Sequence, residues 1–284
     1  VGLKWNVSNK LRFKFAGGLF SQNLLSTVSE QDIVNLFVGF LSGPEEQLLT
    51  KDESAPASSK LQKAVHAIAG VEYDLTNHIT INVEPYLKKF TQLINLNRNK
   101  LKLSDPNYES ETGDAYGIDF SAKYDKRNFY AWVTYSLGFV NRDDGTQVYP
   151  TNFDRRHNIN VVTTYNFGKD KTWEFGLRWN FGTGFPFTLT QGFYEFFQFQ
   201  DGVSTNTNSG NGNLGIIYSS KRNDGRLPDY HRLDVSLKKT IIFSKTSKME
   251  INATATNAYD RANIFYFDRV RYTRVDQLPI LPSL

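Results

Sequence analysis

An apolar side chain at every second position, repeated in stretch after stretch, is the feature that most narrows what this sequence can fold into. In "TWEFGLRWNF", residues 172–181, Trp173, Phe175, Leu177, Trp179 and Phe181 alternate with Glu174, Gly176, Arg178 and Asn180. A period of two puts the two sets on opposite faces of a β-strand. The same pattern recurs in pairs separated by a few turn residues, within residues 1–20, 62–92, 114–140, 157–183 and 231–256. Each pair reads as a hairpin, which gives ten strands, and helical periodicity is nearly absent.

The connections are lopsided. Turns inside the hairpins take about two to four residues, whereas the links between hairpins, 21–60, 92–113, 141–156, 183–230 and 256–277, are long. In an up-and-down meander alternate connections lie at opposite ends, so every short turn falls on one rim and every long loop on the other. That asymmetry is the mark of outer-membrane barrels.

The kind of apolar residue decides the surroundings expected for each face. A soluble sandwich is expected to be rich in Val, Ile and Leu, with turns of similar length at both ends. Here the chain holds 22 Phe and 15 Tyr. Trp5, Tyr73, Tyr124, Phe129, Tyr165, Phe167 and Trp173 all flank short turns, as an interfacial girdle would. Strands of about 9–13 residues are near the length a tilted strand needs to cross a bilayer. The apolar set is therefore expected to meet lipid. The alternating charges Arg12, Glu72, Asp119, Glu174, Arg178, Arg232, Asp234 and Glu250, with Asp74, Glu84 and Lys123, are expected to line a hydrated lumen.

Composition closes off several classes. With no cysteine, neither a disulfide framework nor a thiolate metal site is available. No stretch approaches the ~20 apolar residues of a membrane helix. A formal charge of +4, from 33 Lys and Arg against 29 Asp and Glu, is too balanced for a nucleic-acid footprint. The chain starts at Val1 without a basic n-region or apolar h-region, so a targeting signal is expected to lie outside it.

No pattern supports catalysis or a metal. His66, His78, His157 and His231 lack i, i+4 or His-x-His spacing. Asp229 with His231, or Ser121 with His66, has no spacing that would mark a nucleophile and its base. "SGNGNLG" at 209–215 lacks the Lys-Ser/Thr and helix of a phosphate loop, so no cofactor is expected. Two loop sets are candidate ligand contacts. One is the aromatic run Phe193, Tyr194, Phe196, Phe197 and Phe199, whose alternative role is to extend a strand pair above the membrane. The other is Arg269, Arg271 and Arg274, suited to an anionic ligand or to ion pairs among loops.

The segments "LRFKFAGGLFSQNLLSTVSEQDIVNLFVGFLSGPEE", "ETGDAYGIDFSAKY", "YPTNFDRRHNINVVTTYNFG", "FGLRWNFGTGFPFT", "LPDYHRLDVSLKK" and "NIFYFDRVRYTRVDQLPILPS", in this order, resemble the C-terminal barrel of TonB-dependent outer-membrane receptors of Bacteroidota type. The most specific matches are Asp154 to His157, Leu227 to Asp234 and the terminal "LPILPS". The resemblance covers essentially the whole chain. It implies an all-β, antiparallel transmembrane barrel of 22 strands, of which this chain holds about ten, in the outer membrane of a Gram-negative bacterium. It further implies import of a scarce ligand (siderophore, cofactor, glycan or peptide) with energy from the TonB–ExbB–ExbD complex. Implied partners are outer-membrane lipids, a plug domain inside the barrel and, by analogy with glycan importers, a surface lipoprotein lid; nucleic acid is not among them. Neither plug nor TonB box is found in the sequence, which is expected to be about half a receptor whose closing strand is missing. A passive porin-like barrel, an enzymatic barrel and a soluble all-β binding module are the alternatives.

Overall fold

The computed structural model describes all residues except 27–39, 43–47, 51–55, 58, 98–99, 101, 103, 197–212, 270, 272, 278 and 284. Strands β1 (Gly2–Asn6), β2 (Leu11–Gln22), β3 (Gln62–Thr76), β4 (Ile79–Leu96), β5 (Tyr108–Lys126), β6 (Phe129–Asp143), β7 (His157–Phe167), β8 (Trp173–Gly182), β9 (Tyr230–Ile242), β10 (Lys248–Thr256) and β11 (Leu281–Ser283) form one antiparallel sheet in which spatial order is chain order. A short twelfth strand, Val148–Pro150, pairs with the end of β6. β1 and β11 do not pair with each other, so the sheet is open.

Register shows why the alternation matters. Direct cross-strand partners share a face, and one row runs Arg12, Glu72, Asn82, Ser121, Thr134, Asn160, Asn180, Arg232 across eight strands. The neighbouring row on the other face runs Phe13, Val71, Val83, Phe120, Tyr135, Ile159, Phe181, His231. A slip of one residue in any pairing would exchange the faces.

Among the described residues the apolar face has no second layer. Leu3, Trp5, Phe15, Leu87, Tyr165 and Phe175 are all exposed. Among the described residues the only buried apolar cluster is Leu48 with Ile94, packed by Ala57 and Tyr108. Each large apolar side chain left in water forgoes about 1.5–3 kcal/mol. Tyr116 and Tyr124, His157 and Tyr165, and Trp173 and Phe181 mark two aromatic levels eight residues apart on their strands. That is about 26 Å along a strand at ~3.3 Å per residue, or about 20 Å of height at ~40° tilt, near the apolar band of an outer-membrane barrel.

Two expectations need correction. Strands β3 to β6 have 15, 18, 19 and 15 residues rather than about 9–13. They continue past the apolar band into polar sequence such as "YESE", so strand takes up half of the link at 92–113 and the first residues of the link at 141–156. The sheet also has an eleventh strand on its path, because Leu281 and Ser283 pair with Thr256 and Thr254 of β10.

At the short-turn rim Gly168 has φ 78°, left-handed backbone suited to glycine, and a Cβ there would come 2.9 Å from Trp173 Cδ1. At the other rim the long links fold into short pairs: Leu24–Ser26 with Phe40–Ser42, Pro186–Phe187 with Gly225–Arg226, Thr190–Phe196 with Asn213–Tyr218, and Ile264–Asp268 with Thr273–Asp276.

Candidate binding surface at the long-loop rim

Among the described residues burial is mostly polar and sits at the long-loop rim. Glu111, Thr151, Asp154, Thr188, Asn223 and Asn257 are all at most 2% exposed. A buried charge costs heavily unless it is paired and hydrogen-bonded, and both buried carboxylates, Glu111 and Asp154, are.

The Glu111 carboxylate, at the start of β5, accepts Tyr149 Oη at 2.8 and 2.9 Å, Asn95 Nδ2 at 3.0 Å, Arg222 Nη1 at 3.1 Å and Arg142 Nη1 at 3.4 Å. Arg222 lies over the Tyr149 ring, 3.6 Å from its centroid, and also reaches Asp144 Oδ2 at 2.8 Å. Burial alone would raise the pKa of Asp144, but hydrogen bonds from Thr146, Gln147 and Arg222 outweigh it and hold the carboxyl at about 2.

A second centre is Asp154, which accepts Val140 N at 2.9 Å, Arg156 Nε at 3.0 Å and Arg226 Nη2 at 2.6 Å. A third joins them: Asn223 Nδ2 donates to Pro150 O at 2.8 Å, and its backbone N donates to Thr188 Oγ1 at 3.1 Å. The three centres tie residues 144–156, 184–190 and 219–226 to the ends of β4, β5 and β6. The loops are thereby held as one body, which a recognition surface requires.

Beside the last loop lies a cavity of about 590 Å³, lined by Arg232, Asn257, Asn263, Phe265, Asp276 and Gln277 among others. Two smaller hollows of about 300 and 280 Å³ lie on the polar sheet face and share Arg178. Among the described residues no group of three His, Asp or Glu side chains could hold a metal ion.

The loop candidates do not converge on one point. Arg269 is 9% exposed, donates to Thr188 O at 2.6 Å and Thr190 Oγ1 at 2.9 Å, and faces the Phe187 and Tyr218 rings. Arg274 pairs with Asp276, and Arg271 is 82% exposed with Asp268 at 3.9 Å. Phe193 and Tyr194 are exposed on the strand Thr190–Phe196. Phe197 and Phe199 lie outside the described residues, as does the side chain of Phe196.

All eleven charges assigned above to a lumen, Asp74, Glu84 and Lys123 among them, share the polar face. Arg12 bonds Glu72 Oε1 and Asp74 Oδ2, each at 2.6 Å; Lys14 also pairs with Glu72; Glu174 pairs with Lys238 at 3.0 Å; Arg232 pairs with Asp234 at 2.9 Å; Glu250 pairs with Lys248 at 2.9 Å. Asp119 stands opposite Glu84 and Ser136, and Arg178 opposite Asp234. Reasoning from sequence passed over Glu111, Tyr149 and Arg222. Glu111 lies in "YESET", residues 108–112, which carries no alternation that would have marked it.

No model of a known protein family matches the sequence, and no curated protein does. Solved structures do match in fold. The ferripyoverdine receptor of the outer membrane of Pseudomonas aeruginosa, bound to ferripyoverdine, is 8% identical with a TM-score of 0.59, over 98% of this chain and 31% of that one. The ferric-catecholate import receptor Fiu from Escherichia coli K12 is 9% identical with a TM-score of 0.60, over 98% and 33%. The ferric yersiniabactin uptake receptor FyuA from Yersinia pestis is 12% identical with a TM-score of 0.55, over 99% and 34%. The chain thus spans about a third of the length of these structures and shares the fold of part of their barrels.

Proposed function

We propose that this chain is barrel wall and loops of a TonB-dependent receptor in the outer membrane of a Gram-negative bacterium, of the Bacteroidota type its sequence resembles. The observation that carries the reading is the bare apolar face spanning the sheet, backed by a polar face of paired charges. The fold shared with receptors that import ferric complexes supports it. A face of this kind is stable only against lipid.

In this reading a scarce ligand (siderophore, cofactor, glycan or peptide) is captured at the rim that the Glu111, Asp154 and Asn223 centres rigidify. Phe193, Tyr194, Phe196, Phe197 and Phe199 supply aromatic contacts, and Arg271 and Arg274 supply charge. The Arg12, Glu72, Asp119, Glu174, Arg178, Arg232, Asp234 and Glu250 face lines the lumen against a plug domain. TonB with ExbB and ExbD moves the plug, and a surface lipoprotein covers the mouth. The chain performs binding and passage, not catalysis.

The test is growth and uptake in a strain deleted for the gene, with ferric siderophores tried first. Uptake restored by the wild-type gene, abolished without TonB, and reduced by Tyr194→Ala at unchanged barrel abundance is the expected result. Restored uptake that persists without TonB would replace this reading with a passive porin.

A further inference from the structure

The five short connections carry a charge that the rest of the chain does not. Taken with one strand residue on each side, they are residues 6–11, 76–79, 126–129, 167–173 and 242–248. They hold seven cations against one carboxylate, Asp170. This excess of six is larger than the +4 of the whole chain, so everything above the rim is slightly acidic in sum. Lys10, Lys126, Arg127, Lys169, Lys171 and Lys245 are exposed and form no ion pair among the described residues. The seventh, Lys248, lies 2.9 Å from Glu250.

A second, independent feature sits just inside this rim. Lys239 stands on the apolar face, opposite Trp173 in register. Its Nζ lies over the Trp173 ring, 4.7 Å from the centroid, and donates to Thr172 Oγ1 at 2.8 Å in the adjoining turn. A lysine on a lipid-facing surface leans toward the plane where its charge is solvated. Lys239 therefore marks that plane at the height of the cationic turns, with Trp5, Tyr124, Phe129 and Tyr165 just inside it.

We propose that the short-turn rim is a binding surface for the anionic head groups of phospholipids in the leaflet it reaches. Strands ~4.8 Å apart set successive turns ~10 Å apart, so the cations form a spaced row beneath the aromatic girdle. Basic residues at this depth are attracted to anionic lipid, and salt screens the attraction within a Debye length. The proposal rests on the transmembrane reading above.

The test uses the full-length gene product in nanodiscs of phosphatidylcholine with increasing phosphatidylglycerol. The readout is association of spin-labelled phosphatidylglycerol against spin-labelled phosphatidylcholine. The wild type is expected to prefer phosphatidylglycerol. Lys126→Gln, Arg127→Gln, Lys169→Gln, Lys171→Gln and Lys245→Gln together should cut that preference by about five-fold or more, as should high salt. Inorganic phosphate at equal ionic strength should compete no better than chloride. An unchanged preference in the variant, no preference in the wild type, or specific displacement by phosphate would overturn the proposal while leaving the barrel reading intact. A wild type that never enters the bilayer would overturn both.

Discussion

Arg222 stacks 3.6 Å above the Tyr149 ring centroid, and both side chains hydrogen-bond the same buried carboxylate, Glu111. One aromatic face, one cation and one anion thus join segments 111 residues apart in sequence.

Removing the cation should release the loops without dissolving the wall. Arg222→Ala leaves Glu111, 1% exposed, and Asp144 without a shared partner. Breaking a buried pair from one side costs about 3–5 kcal/mol. Amide exchange at 144–150 and 219–224 should accelerate, while exchange in β7 and β8 should not change.

Asp144 sets a pH window. Its folded pKa of about 2 lies below the ordinary 3.8. A depressed carboxyl stabilises above its unfolded pKa, and the contribution is lost as pH falls through the folded value. The loop should therefore keep its exchange protection down to about pH 4 and lose it toward pH 2. Asp144→Asn should remove the dependence, as read by exchange across that range.

Tyr86 rests against two glycines on the polar face. A Cβ at Gly138 would meet only Tyr86 Oη, at 2.7 Å, whereas one at Gly117 would also meet the Leu137 carbonyl oxygen. Gly138→Ala should cost about 1–3 kcal/mol, and Tyr86→Phe should recover most of it. Gly117→Ala should stay destabilised in the Tyr86→Phe background. Urea midpoints in lipid vesicles measure both.

The two faces should answer differently to the same charge. Val161 and Leu177 belong to the apolar face, and Thr164 and Asn180 to the polar one. Arg at Val161 or Leu177 should cost about 2–4 kcal/mol if near the bilayer midplane. Arg at Thr164 should cost well under half as much. Folded fraction by heat-modified migration reads the difference.

The wall was legible in sequence because its rule is local. The set from Trp173 to Phe181 and the set from Ile159 to Phe167 each declare a face by period two, and register only aligns them. The strand ends were less legible. Tyr108 to Thr112 alternates no more strongly than a loop, and only its pairing with β4 makes it strand. The rim was least legible. Glu111 finds Arg222, and Arg269 finds Thr188, through loops whose course depends on many weak contacts, and no spacing encodes such a meeting. Arg269 therefore read as a partner for an anionic ligand or a loop ion pair, whereas its burial against the Thr188 carbonyl had no sequence mark.

The central claim is that the odd-numbered face of β8 meets lipid and the even-numbered face meets water. The chain has no native cysteine, so single cysteines at positions 175 to 180 of the full-length product in bilayers can each carry a nitroxide. Collision rates with oxygen, which concentrates in lipid, and with a water-soluble nickel chelate then report the surroundings of each site. The account predicts that oxygen dominates at 175, 177 and 179, and nickel at 176, 178 and 180. Odd positions shielded from both reagents, as in the core of a soluble sandwich, would contradict it.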